Sequence, residues 1–421
     1  MSPELISIVV LALMFVVGTV RGINMGVLGF VAAFGVGLLA VGMTVDDVFA
    51  GFPVDLFMAL LGLTFLFGFA QQNGSIDLLV RWGLRAVRGR VAAAPWIFFA
   101  LAGVLMSIGA IFAIAIVAPL AIPFARRYKI DQLMMGMMVV HGAMTGAFSP
   151  ISVYGVFVNG FLASEGLPGN PLALFFASLM FNVVMGVIVY LTMGGRRLLG
   201  VKFDETQDSP GGSGGAATLT RTRVTGSQVL TLTALAAMAL GTVAFRWDVG
   251  VLSLSLAAVL AVVHPAAAKP ALANVSWSTV VLVGGVLTYI EVLQTAGTVE
   301  YVSLGIAALG LPLVAVLLLC YLSGIVSALA SSLGTIGVAV AIAAPFIASG
   351  DVNPIGMVAA IAISATVVDV SPFSTNGALV LANVSEDERE RFYKRMLVYS
   401  GLVVALAPAG AWLMTFVPFG Y

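Results

Sequence analysis

The chain has 421 residues, 61% of them hydrophobic and 9% charged, with 19 Lys and Arg set against 19 Asp and Glu. A soluble domain is roughly 45–50% apolar and about 25% charged, so this composition excludes a water-soluble globule, and the neutral balance excludes capture of nucleic acid by charge. One cysteine, Cys320, can form neither an intrachain disulfide nor a thiolate metal centre by itself.

In chain order, apolar runs fall near 5–20, 25–43, 54–72, 94–125, 133–163 and 171–194. The first lacks the basic flank and small-residue cleavage site of a signal peptide and reads as a retained helix. A polar stretch follows, with Gly-Gly-Ser-Gly-Gly at 211–215, and reads as a cytoplasmic linker over 201–228. Apolar runs resume near 229–245, 249–263, 277–296, 311–348, 355–383 and 396–418. The expected organisation is therefore two halves, 1–200 and 229–421, on either side of that linker.

The halves repeat one another. Gly26-Val27-Leu28 returns as Gly250-Val251-Leu252, and Gln71, Gly74 and Asp77 return as Gln294, Gly297 and Glu300. Ser107-Ile108-Gly109 with Pro119 returns as Ser332-Leu333-Gly334 with Pro345. The most specific match is Ser149-Pro-Ile-Ser-Val-Tyr-Gly155 with Ser371-Pro-Phe-Ser-Thr-Asn-Gly377. These matches are collinear at nearly one offset, which is the mark of an internal duplication. If the runs near 94–125 and 311–348 are re-entrant hairpins, each half crosses the bilayer five times and the second half is inverted. With both termini outside, 18 of the 19 basic residues then fall inside, Arg246 being the exception. The fold expected is an all-α polytopic membrane protein of two inverted repeats, with broken helices near 133–163 and 355–383.

Broken helices leave backbone groups in need of partners within the bilayer, so they mark candidate sites. Ser149-Pro150, followed by Ser152 and Asn159, forms one break; Ser371-Pro372, followed by Ser374, Thr375 and Asn376, forms the other. The hairpin tips are expected at Ser107–Ala110 and Ser331–Thr335, where small hydroxyl residues and glycine let a turn aim its amides inward. The same residue types also serve as ordinary packing contacts and kinks. Ionisable residues inside apolar runs are His141, Glu291 and Asp369, with Asp55 near a membrane end. Asp369 is a candidate cation ligand or proton carrier and His141 a candidate proton shuttle, each with a hydrogen-bonded structural role as the alternative. Glu291 fits a structural or gating role. No Lys or Arg falls in a predicted membrane core, so an anion would rely on helix N-termini, hydroxyls and co-bound cations. No Walker A, H-E-x-x-H or G-x-S-x-G sequence occurs, and nothing indicates an enzyme.

The paired Ser-Pro breaks, each preceded by a Ser/Gly-tipped hairpin, resemble the ion transporter superfamily, whose best-described branch is the divalent-anion:sodium symporters. Within it, Met25-Gly-Val-Leu-Gly-Phe-Val-Ala-Ala-Phe34, Phe52-Pro-Val-Asp-Leu-Phe57 and Phe148-Ser-Pro-Ile-Ser-Val-Tyr-Gly155 look like the MatC-type dicarboxylate carriers proposed for malonate. The resemblance implies a homodimeric elevator in a bacterial cytoplasmic membrane, with a scaffold holding a mobile transport domain. It implies a dicarboxylate bound between tips and breaks, at Ser107, Gly109, Ser149, Pro150, Ser152, Ser332, Gly334, Thr335, Ser371, Pro372, Ser374, Thr375 and Asn376. It also implies a sodium ion beside each tip, two in all, for which the candidates are Ser107, Gly109 and Gly146, then Ser332, Gly334 and Asp369. One departure stands out: the symporters carry Ser-Asn-Thr at both tips, where this chain has Ser-Ile-Gly and Ser-Leu-Gly. The expected function is sodium-coupled uptake of malonate or a C4-dicarboxylate. The alternatives are proton coupling through His141 or Asp369, and a sodium/proton antiporter.

Overall fold

A computed structural model of the protein describes residues 2–86, 91–200, 224–307, 312–329, 332–349 and 352–416. Among them the chain is all-helical. Six helices are long and apolar enough to cross a membrane: α1 (Pro3–Arg21), α4 (Val54–Gln72), α10 (Pro171–Thr192), α11 (Gly226–Phe245), α14 (Trp277–Thr295) and α20 (Glu386–Phe416). The shorter apolar helices are α2 (Met25–Val36, extended by a π turn, Gly37–Val41), α6 (Ala94–Ser107), α7 (Ala113–Arg127), α8 (Gln132–Gly146) and α9 (Val153–Ser164). Their counterparts in the second half are α12 (Val249–Val263), α16 (Pro312–Ser327), α17 (Ser332–Ser349), α18 (Pro354–Val367) and α19 (Thr375–Ala382). The chain is thus an integral, multi-pass helical membrane protein.

Several boundaries differ from the sequence reading. Four short helices occupy stretches read as connections: α3 (Val45–Ala50), α5 (Ser75–Ala86), α13 (Pro265–Ala273) and α15 (Thr298–Ala307). Helix α11 starts inside the stretch read as linker, because Thr225 and Gln228 form a reciprocal capping box and Gln228 also donates to Asn73 O and Gly74 O. The remainder of the linker, 201–223, lies outside the described residues. Helix α20 begins at Glu386, ten residues before the apolar run. Its first turn is Glu386-Asp387-Glu388, which complements the positive end of the helix dipole, and Lys394 pairs with Glu390 one turn apart at 2.6 Å.

The helices sort into two packed bodies. In the first, α2 lies against α14 and α4 against α12 and α13. Glycines bring these backbones into contact: a Cβ on Gly285 would stand 1.8 Å from Gly26 O, and one on Gly62 would stand 2.9 Å from Leu254 N. In the second body, α8 packs between α6 and α10, and α18 between α16 and α20. The contacts between halves come in exchanged pairs: α4 with α12 and α2 with α14, α7 with α19 and α17 with α9, α1 with α15 and α11 with α5. At one end, Arg395 meets Asp131 at 2.8 Å and Arg126 meets Asp387 at 3.3 Å, tying the start of α20 to α7 and α8.

Candidate functional site

The two breaks have the same construction. Ser152 is the N-cap of α9 and accepts from Gly155 N at 3.1 Å; Ser374 is the N-cap of α19 and accepts from Gly377 N at 3.2 Å. Each cap also donates backwards, Ser152 to Ala147 O and Ser149 O, Ser374 to Asp369 O and Ser371 O. The hydroxyls of Ser149 and Ser371 accept from the amides of Ile151 and Phe373. Four serines of the candidate set therefore satisfy the backbone that the prolines Pro150 and Pro372 interrupt. Gly155 and Gly377 complete each turn, since a Cβ on either would lie 1.9 Å from the carbonyl of Ser149 or Ser371.

The hairpin tips differ from each other. In the first, residues 108–112 form the turn, Gly109 takes φ +102°, and Ser107 donates back to Gly103 O at 2.8 Å. In the second, α16 ends at Ser327 and α17 starts at Ser332, so Gly334 and Thr335 sit in the first helical turn and not in the bend; Ser331 lies outside the described residues. A Cβ on Gly334 would meet the Met25 side chain at 3.8 Å, an ordinary packing contact. Gly146 is also a packing position, where a Cβ would lie 2.2 Å from Gly103 O.

A cavity of about 620 Å³ separates the two bodies at the second break. The first body contributes the α1–α2 turn with Asn24, and Ser278 and Thr279 from α14; the second contributes Ser332, Asp369, Thr375 and Asn376, all anticipated from the sequence. Asp369 is buried, accepting from Ser332 Oγ at 2.8 Å on Oδ1 and from Asn376 Nδ2 at 3.1 Å on Oδ2. The Ser327 hydroxyl is shared between Ser332 Oγ at 2.9 Å and Ala365 O at 2.6 Å. Tyr154, from the first turn of α9, lines the same cavity within electrostatic reach of Asp369 and Ser332. The sequence reading did not single it out. The signal was available: Tyr154 occupies the place in the first Ser-Pro motif that Asn376 holds in the second.

A second cavity, about 1070 Å³, approaches from the opposite end. It reaches Pro150 and Asn159 and carries Asp55, Glu165, Asp248 and Glu291 against Arg246. Helix α14 borders both, with Ser278 and Thr279 in one and Leu287 and Glu291 in the other.

His141 lies in neither cavity. It is fully buried among α8, α10 and α20, with Nδ1 3.1 Å from Asn182 Oδ1 and Nε2 2.6 Å from Tyr399 Oη. Asn182 Nδ2 donates to Ser178 O, which leaves Oδ1 to accept from Nδ1–H and Nε2 to accept from Tyr399. This network is complete with a neutral ring. His141→Ala should therefore lower stability by about 2–4 kcal/mol, through a cavity and two orphaned partners. A thermal melt of the purified variant measures it, and an unchanged melting temperature would contradict the structural role.

No curated protein matches the chain. Residues 1–147, from α1 to the first residue past α8, match the family described as "Dicarboxylate carrier protein MatC N-terminus", so over that stretch the chain is similar to a dicarboxylate carrier of the MatC type.

Proposed function

We propose that the protein is a secondary carrier of a small dicarboxylate, malonate or a C4 acid, bound in the 620 Å³ cavity and coupled to a monovalent cation, sodium in the first instance. The observation that carries this reading is the match of residues 1–147 to the dicarboxylate carrier family. The cavity suits the cargo: it places hydroxyls and amides around a space into which no Lys or Arg projects among the described residues, and a co-bound cation would offset the substrate's charge.

The arrangement of the bodies supports a reading of alternating access. Helices α6, α7, α16 and α17, at 14, 15, 16 and 18 residues, are about 21–27 Å long, short of a hydrocarbon core of about 30 Å. They are read as re-entrant hairpins, and the exchanged contacts between halves as the pseudo-two-fold axis of inverted repeats. Two cavities reach the breaks from opposite ends of α14. The second body would slide along the first as an elevator, exposing the site to each in turn. By the distribution of basic residues, the Asp369 cavity opens to the cytoplasm.

The test is uptake of labelled malonate and succinate into proteoliposomes with external sodium or choline at fixed pH. Uptake at least about tenfold higher in sodium is expected. Uptake that follows a pH gradient and ignores sodium would replace sodium with the proton, and no uptake of either acid by folded protein would sink the substrate assignment.

A further inference from the structure

Two tips and two breaks suggest two coupling sites, but the duplicated residues are not chemically equivalent. The inference rests on the carrier reading. Asp369 corresponds to Ala147 and Asn376 to Tyr154, whereas Ser107 and Ser332, matched in sequence, stand on opposite arms of their hairpins, at the end of α6 and the start of α17. At the first tip there is consequently no carboxylate, and the one hydroxyl is turned back onto its own helix at Gly103 O. The backbone carbonyls of Gly146, Ala147 and Ser149 accept hydrogen bonds from Ser149 N and the Ser152 cap just as those of Val368, Asp369 and Ser371 do at the second break, so the difference between the tips lies in their side chains. The helices also pack tightly here: a methyl group on Gly146 would lie 2.5 Å from Ser107 Oγ and 2.2 Å from Gly103 O, so α6 and α8 meet backbone to backbone beside the tip. The first tip gives the cavity only Ile111 and Phe112.

At the second tip the oxygens converge. Asp369 brings a carboxylate, Ser332 and Ser327 bring hydroxyls linked in series to it, and Ala365 brings a carbonyl at the end of that series. Asn376 donates to this carboxylate, and its first-half counterpart Tyr154 lines the same cavity. Hard oxygen donors around a single negative charge suit a small monovalent cation. Among the described residues the titratable groups lining the cavity are Asp369 and Tyr154, so no Lys, Arg or His among them competes for the place.

We infer that the carrier couples to one monovalent cation, held at Asp369 with Ser332 and Ser327 on the second tip, and that the first tip is a closed structural corner that holds none. Sodium and the proton are the two sources of that charge.

The deciding experiment counts cations on the purified full-length chain: equilibrium binding of radioactive sodium at fixed pH, and proton uptake across a pH step, on the parent, Asp369→Asn and Asp369→Glu. One saturable sodium per chain is expected, weakened at least about 100-fold in Asp369→Asn and partly restored in Asp369→Glu. One proton per chain in place of sodium, lost in Asp369→Asn, supports the same site with the other source. Two sodium ions per chain, sodium binding that survives Asp369→Asn, or neither cation showing dependence on Asp369 would overturn the inference. If the single cation site is found but neither malonate nor succinate is carried, the substrate reading fails and the cation count stands.

Discussion

Gly285→Val abolishes the folded protein. A Cβ at position 285 would lie 1.8 Å from Gly26 O, and one at Gly26 would lie 2.0 Å from Val281 O, so α2 and α14 cross with their main chains in contact. Neither helix can yield locally, since the obstruction is backbone and not the end of a flexible side chain. Overpacking of side chains typically costs about 1–3 kcal/mol, and a collision with main chain should exceed about 3 kcal/mol, a large share of a typical stability. Size-exclusion chromatography of the detergent-extracted variant should show aggregate in place of a symmetric peak. Gly35→Ala is the control: it lies on the same α2, but a Cβ there meets nothing within 4 Å. That change should be neutral or stabilising by up to about 1 kcal/mol. A Gly285→Val protein that elutes and melts like the parent would mean the two helices do not cross this closely.

Gly377→Ala and Gly155→Ala each stop transport, by at least about 100-fold, or roughly 2.7 kcal/mol. Either methyl would stand 1.9 Å from a serine carbonyl of the same turn, so the capped first turn of α19 or α9 has to open. Directly before each glycine is a side chain of the cavity, Asn376 or Tyr154, and opening the turn carries it away from Asp369. Initial uptake rates in proteoliposomes, normalised to folded protein, measure the effect. The two variants should fail to similar extents, because the turns are built alike. If only Gly377→Ala failed, Tyr154 would not belong to the working site.

The helical framework was readable because apolar length and backbone breakers act locally. The run at 54–72 is α4, that at 249–263 is α12, and both Ser-Pro sequences interrupt helices. The helices α3, α5, α13 and α15 were missed, being too short or too polar on one face to register as apolar runs. The lining of the 620 Å³ cavity was legible in part. Asp369 stood out because charge is rare in the membrane, and Asn376 because it follows a break. The roles of Ser149, Ser152, Ser371 and Ser374 were not legible, since a serine that caps a helix and one that faces a cargo look identical until the backbone is placed. Gly334 shows the reverse: aligned with Gly109, its sequence reads as part of a bend, yet α17 has already begun at Ser332. Repeats copy the chain's course more faithfully than they copy the turns at its tips.

Helix α20 offers a way to watch the protein at work. Its 31 residues extend about 46 Å, some 16 Å more than the hydrocarbon core requires. The excess is the charged segment from Glu386, which Arg395 and Asp387 fasten to α8 and α7, while the apolar remainder lies along α16 and α18. The helix is a rod fixed to the body that carries Asp369, with its charged end beyond the apolar span. A fluorophore on exposed Arg391, paired with a second dye on the α1–α2 turn, converts any travel of the cavity past the first body into a change in energy transfer. Movement of the buried Asp369 cavity would then be an optical signal read at the protein's surface.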